Sequence, residues 1–507
     1  MTRCLPDEVP GHGPVRPFTG AWDHVGPVTR AGLRLHSARP HAVKVLPDLD
    51  AAIAACEIRD GATLSFHHHL RNGDAVLNLV MDAVARAGLT DITVAASALF
   101  AVHAPLIEHM RKGVVTGLAA STIYGPLARA VSGGILARPV LMYTHGGRAR
   151  CVEAGDLRID VAFVAAPTAD TYGNLNGVHG RAACGPLGYA VTDAQGADRV
   201  VAVTDTLVPY PAVPIEIGQD WVDFVVPVDS IGDPGQIVSG TTRATTNPVA
   251  LRIAQTAAQV VAASGLLLDG FSFQTGAGGS SLAAAAFLGR IMAERGVQGS
   301  FAAGGIAAGI VALFDAGLFR ALMDVQAFDL AAVESFRRSA AHQAMSAYPH
   351  NRGCVVNRLD ATILGAAEID RAFNVNVTTG TDGIILGGSG GHADSAAGAS
   401  LTLITTSLAA GRHAKVVDHV RTVTTPGETI DVVVTDGGVA VNPRRPDLSD
   451  RLARAGIPMV SIDDLAARAA RLAGPPVAPP DPDGRIVAVV EYRDGTVIDV
   501  VRAAEGR

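Results

Sequence analysis

The chain has 507 residues, 48% apolar, 18% charged and only 5% aromatic, enough apolar material for more than one buried core. A net charge of −7 offers no basic face for nucleic acid, and no block of Lys or Arg marks a membrane surface. Five scattered cysteines (Cys4, Cys56, Cys151, Cys184, Cys354) exclude both a disulfide framework and a zinc knuckle.

Residues 1–45 read as an N-terminal arm, rich in Pro, Gly and His, without the apolar stretch of a secretory signal. Residues 48–58 suggest a helix leading into a first α/β domain over 46–248. Its strands are expected at 63–67, 92–95, 114–118, 161–166 and 200–204. Helices are expected at 75–87, where Val76, Leu79, Val80 and Val84 recur at helical spacing, and at 105–112. The breaker-rich stretch 231–248 reads as a crossover. A second α/β domain over 249–441 opens with a helix at 249–264. It continues with strands at 271–273, 299–302, 362–364, 383–386, 415–417 and 430–434, and helices at 281–294, 310–316 and 395–410. The uncharged run 395–411 is too short for the roughly 20 apolar residues of a membrane span. A soluble, cytoplasmic protein is therefore expected. Residues 442–507 form a C-terminal extension: a helical segment at 448–455, a Pro-rich linker at 474–482, and a hairpin of 485–492 and 497–501 turning at Arg493, Asp494 and Gly495.

Alternating strands and helices predict an α/β fold with largely parallel sheets. One unit recurs. Asp160, Asp170, Asn174 and Asn176 in the first half answer to Asp360, Asp370, Asn374 and Asn376 in the second. The loop Arg71, Asn72, Gly73 likewise answers to the glycines Gly276, Gly278 and Gly279. Two like domains with a cleft between them are a preferred arrangement for a small-molecule site.

The densest local signal runs from Gly387 to Asp394, with Gly388, Ser389, Gly390, Gly391 and His392 after an expected strand and before an expected helix. Such a turn gathers backbone N–H groups around an anion. Gly388, Gly390 and Ala393 also fit a loose dinucleotide fingerprint, but the next acid, Asp418, comes too late. Gly387, Ser389 and Gly391 fit a nucleophile elbow, with His145, Gly146 and Gly147 resembling an oxyanion motif, yet no well-spaced acid and His follow the Ser. An anion or thioester site is favoured over a hydrolase or a purely structural turn. His67, His68 and His69 fix no third metal ligand, because neighbours on a strand face opposite ways. Asn174, Asn176, Asn374 and Asn376 suit Asx turns. Arg148, Arg150 and Arg181 have the forked geometry that meets carboxylates bidentately.

Long motifs then carry a resemblance. Residues 65–73 (Ser-Phe-His-His-His-Leu-Arg-Asn-Gly), 160–174, 270–279, 387–392, 424–430 and 489–497 resemble the alpha subunit of citrate lyase, from about residue 11 onward. The resemblance implies two tandem CoA-transferase-like domains. It also implies a citrate CoA-transferase, or citrate acyl-carrier-protein transferase, working in an oligomeric complex with a beta subunit (the citryl lyase) and a gamma subunit (the acyl carrier protein). The substrates would be citrate and an acetyl thioester on CoA or a CoA-like prosthetic group. No cofactor would be bound covalently to this chain; no metal ligands are assigned, and a divalent ion accompanying citrate stays open. Many CoA-transferases carry a glutamate that forms a covalent thioester. Here the corresponding stretch reads Ala302, Ala303, Gly304, Gly305, Ile306, which excludes a glutamyl intermediate at that position. Direct attack by a substrate carboxylate is expected instead. Gly276, Gly278, Gly279, Gly304, Gly305 and the 388–391 turn would stabilise oxyanions, with His392 beside the departing thiolate. His67, His69, Arg71 and Asn72 would bind citrate. The alternatives are citramalate or a related hydroxy acid as acceptor, and a non-catalytic CoA- or nucleotide-binding module.

Overall fold

Runs of apolar and β-branched residues, closed by Gly or polar turns, build two large sheets in this computed structural model, which describes residues 5–23, 39, 42–238, 244–276, 278–346, 354–474 and 483–504. The first contains β1 (Thr63–Phe66), β2 (Ile92–Ala96), β3 (Val115–Ala120), β4 (Val140–Met142), β5 (Ile159–Ala166), β6 (Ala197–Thr204) and β7 (Phe224–Pro227). They lie side by side as β4-β3-β2-β1-β5-β6-β7, all parallel. The second contains β8 (Ser272–Thr275), β9 (Gly299–Ile306), β10 (Phe319–Ala327), β11 (His342–Ala344), β12 (Ala361–Gly365), β13 (Leu401–Thr405) and β14 (Val432–Thr435). Its order, β11-β10-β9-β8-β12-β13-β14, is the same permutation, again parallel. Parallel sheets need cover on both faces, so their inner strands are largely buried. Val201, Ala202 and Val203, for example, are fully buried. Helices such as Val76–Arg86, Pro248–Ala263 and Gly279–Arg295 supply that cover, and one continuous apolar core joins the two sheets.

The repeated acids and amides do the same work in each half. Asp160 accepts the N–H of Thr63, and Asp360 that of Ser272, each at 2.8 Å, which ties β5 to β1 and β12 to β8. Asp170 and Asp370 close tight turns by accepting backbone N–H groups and the side-chain amides of Asn174 and Asn374. Asn176 and Asn376 make Asx turns to the two N–H groups that follow them by two and three residues. Burial alone would raise the Asp170 carboxyl, but donors from Asn174, Ala212 and Tyr172 outweigh it and hold the group below its ordinary value. Its stabilisation is therefore present above the unfolded pKa of about 3.9 and lost as pH falls through the lowered folded value. Asp170→Asn leaves buried donors facing a donor. It should cost about 1–3 kcal/mol in a thermal melt at neutral pH, a gap that narrows below about pH 4.

Several expectations change. Residues 395–410 are not one helix: His392–Gly398 is helical, and the β-branched run that follows becomes β13. Residues 383–386 form a turn with a single bridge, Thr379 to Ile385, and Val416–Val417 joins a small side sheet with Glu368–Asp370. Residues 475–482 of the Pro-rich linker lie outside the described residues. The extension divides: Leu448, Leu452, Leu465 and Ala469 pack with the second half, while the hairpin β16 (Ile486–Glu491) and β17 (Val497–Arg502) extends the first sheet, β16 running parallel to β4. A further strand, β15 (Gly438–Val441), pairs antiparallel with β14. No helix among the described residues is long and apolar enough to cross a membrane.

Candidate active site

The carboxyl ends of both sheets face each other, which is where open parallel sheets place ligands. The turns after β1, β2 and β3 meet the turns after β8, β9, β10 and β12 around a cavity of about 320 Å³. Hydrogen bonds stitch the seam: two between main chains, Ile123 N–H to Gly387 O (3.1 Å) and His145 N–H to Gly390 O (2.8 Å), and one from a side chain, Gln326 Nε2 to His68 O (2.9 Å). The helix His145–Ala154 begins here, and Asp394 of the other half accepts from Gly146 N–H (2.9 Å) and Thr144 Oγ1 (3.0 Å). Burial pushes the Asp394 carboxyl up, against the opposing pull of Arg493 and these donors.

Arg71 lines the cavity with its guanidinium between two rings, Phe100 of the first half at 5.0 Å and Phe328 of the second at 4.8 Å. The residue sits at φ 54, a left-handed conformation that aims the side chain across the cleft. Burial lowers its pKa, yet a guanidinium stays charged in protein. Opposite lies the turn Gly388–Gly391. No hydrogen bond among the described residues takes up the N–H groups of Gly388, Ser389, Gly390 and Gly391. Successive unengaged donors of this kind are what an anion-binding turn requires. A β-bulge at Gly304 and Gly305 shapes the floor, setting Val325 and Gln326 toward the cavity.

The histidines divide by parity. His67 and His69 stack at 4.2 Å away from the cavity, where His67 Nε2 accepts the N–H of Ala165 and His69 Nε2 donates to its carbonyl. They anchor β5 and do not line the cleft. Side-chain alternation continues past the end of β1, so His68 is the one that faces in. Asn72 is also off the cavity, its Oδ1 accepting from Val102 N–H, and Gly279 is absorbed into the start of its helix. The Gly276 N–H is engaged by Ile363 O, which removes it as an oxyanion donor. Gly276, Gly278, Gly304, Gly305 and Gly388 through His392 do line the cavity. Both nitrogens of His392 are engaged, Nδ1 with Thr425 Oγ1 and Nε2 with Gly365 O, and burial holds its pKa down to about 4. That fixes the turn and leaves neither ring nitrogen available to a thiolate.

Sequence reasoning missed His68, Tyr189 and, as a cavity residue, His145, which stack on one another. The signal for His145 was present but was read as an oxyanion motif. Arg148, one turn further on, makes a buried bidentate pair with Asp193 behind this stack, as its forked geometry suggested. Arg150 pairs with Asp156, whereas Arg181 meets the carbonyls of Asp205 and Asp229 instead of a carboxylate. Among the described residues no group of three or more His, Cys, Asp or Glu side chains converges as a metal site.

The family model described as "Citrate lyase, alpha subunit (CitF)" matches residues 42–504. The chain is 49% identical over 462 residues to the citrate lyase alpha chain of Escherichia coli (strain K12), covering 90% of each. It is 48% identical to that of Haemophilus influenzae, over 90% of this chain and 92% of the relative. A structure from Streptococcus mutans, assigned as the alpha subunit of citrate lyase in complex with citrate, matches with TM-score 0.92 and 45% identity over 95% of both chains. A malonate decarboxylase alpha subunit from Acinetobacter baumannii, at TM-score 0.63 and 15% identity over 85% of this chain and 92% of that one, shares the fold alone. With a match along nearly its whole length at close to half identity, the chain belongs to the citrate lyase alpha-subunit family.

Proposed function

We propose that the cleft exchanges the acyl group of a thioester: an acetyl thioester and citrate give a citryl thioester and acetate. The carrier is CoA or the CoA-like group of an acyl carrier protein, the gamma subunit, and the citryl product passes to a beta subunit for cleavage, in the cytoplasm. A citrate carboxylate oxygen attacks the acetyl carbonyl carbon and the thiolate leaves, forming a mixed anhydride. The thiolate then attacks the citryl carbonyl and acetate leaves. Charge balances at each step without proton transfer.

The observation that carries this reading is the pairing of one cation, Arg71, with the bare N–H groups of 388–391 across a cavity whose lining acid, Asp394, is already engaged. Arg71 suits a bidentate carboxylate. The N–H groups suit the two tetrahedral oxyanions, where losing one such donor in other enzymes costs about 2.7–4 kcal/mol of barrier. Keeping thiolate and anhydride together draws on effective molarity, worth about 7–11 kcal/mol. The end of β9 presents Ala303, Gly304 and Gly305 and so offers no enzyme carboxylate to intervene.

The test is mass spectrometry of the purified chain with acetyl-CoA and citrate, and citramalate in parallel. Citryl-CoA and acetate in equal amounts, with no added mass on the protein, are expected. An acyl adduct on the chain would refute direct attack, and no exchange with CoA or carrier protein would sink the transferase reading.

A further inference from the structure

Within the seam, His145 is held in one tautomer. The Ser121 hydroxyl donates its proton to Ser97 O, so at the 2.8 Å contact His145 Nδ1–H must be the donor to Ser121 Oγ. Nε2 is then a bare lone pair. No hydrogen bond reaches it among the described residues, and the ring lines the cavity. Its plane is fixed by stacking on His68 at 5.1 Å and Tyr189 at 4.5 Å. Approach to Nε2 is kept open by a missing side chain: a Cβ on Gly390 would stand 3.5 Å from it. Burial, with Arg148 and Arg71 nearby, drives the His145 pKa down to about 3, so the ring stays a neutral acceptor.

An acceptor cannot serve carboxylates, which are acceptors themselves, nor the thioester carbonyl. What it can serve is a hydroxyl. We infer that His145 Nε2 accepts the hydroxyl proton of the acceptor acid, making the cleft selective for hydroxy di- and tricarboxylates over their deoxy analogues. The inference rests on the acyl-exchange reading for the identity of the acid, and His145 acts here in recognition rather than in bond making.

Calorimetric titration of the full chain with citrate and with tricarballylate, the same acid without the hydroxyl, tests it without a thioester. The wild type should bind citrate at least about tenfold more tightly, in line with one well-placed hydrogen bond. His145→Phe should bring the two affinities within about threefold, while His145→Gln, which returns an acceptor near the Nε2 position, should keep the preference. His145→Asn retains the Ser121 contact but no cavity acceptor, and should behave like the Phe variant if that one fails to fold. Equal affinities in the wild type, or a preference that survives in the Phe or Asn variant, would overturn the inference and leave acyl exchange standing. Binding of neither acid would overturn both.

Discussion

Arg71→Ala should raise KM for citrate about 10- to 150-fold, the loss expected when a charged hydrogen-bond donor worth about 1.5–3 kcal/mol is removed. Steady-state exchange at varied citrate reads this directly, with kcat moving less than KM if the side chain binds the acid equally in ground and transition states. Arg71→Lys should not rescue, because a point ammonium cannot lie flat between the Phe100 and Phe328 rings or offer a planar fork. Arg71→Gly is the cleaner deletion, since the backbone there is left-handed at φ 54 and Gly adopts it without strain. An unchanged KM in both deletions would remove Arg71 from the citrate site.

Gly388→Ala should cut exchange at least about 100-fold, the order of loss that follows a misplacement of about 1 Å in a reacting site. A Cβ at this position would overlap the carbonyl oxygen of Ser121, which is backbone and cannot rotate away. Ser121 in turn holds His145, and the neighbouring Gly387 carbonyl accepts from Ile123, so one methyl pries apart the two turns that meet across the seam. Overpacking of this kind costs about 1–3 kcal/mol, so the melting temperature should fall while the protein still folds. A variant with kcat within threefold of wild type would mean the seam yields easily and need not be rigid for catalysis.

Much of the fold was legible because its strands are short apolar runs with clear breakers. The expected segments at 63–67, 92–95 and 161–166 lie within a residue or two of β1, β2 and β5, and the hairpin was found with its turn. Legibility failed where composition hid a boundary. Between Ser395 and Gly411 neither charge nor Pro marks the step from helix to strand, and only Gly398, where the helix ends, and the β-branched residues among 402–405 hint at it. Short strands such as β4 and β11 were missed because three residues carry no period. At the site, the glycine turns and Arg71 stood out as local signals. His68 did not, since which of three consecutive histidines faces the cleft depends on where β1 sits relative to the second half. The engagement of both His392 nitrogens, and the His145 tautomer, depend on Thr425, Gly365 and Ser121, partners far apart in sequence that only the tertiary fold brings in.

The hairpin β16–β17 makes the first half dependent on residues synthesised more than 300 positions later. It extends the sheet beyond β4, bridges Pro17 to Val497, and sends Arg493 from its turn to the Asp394 carbonyl and to Asn357 in the second half. Loop closure over such a span weighs on the rate of folding more than on final stability. During synthesis the first sheet must wait with β4 as an open edge, the kind of surface that invites pairing with another chain. A chaperone that shields this edge would therefore raise yield, and the arrival of residues 486–502 would add the Arg493 bonds to those that already join the two halves at the cleft.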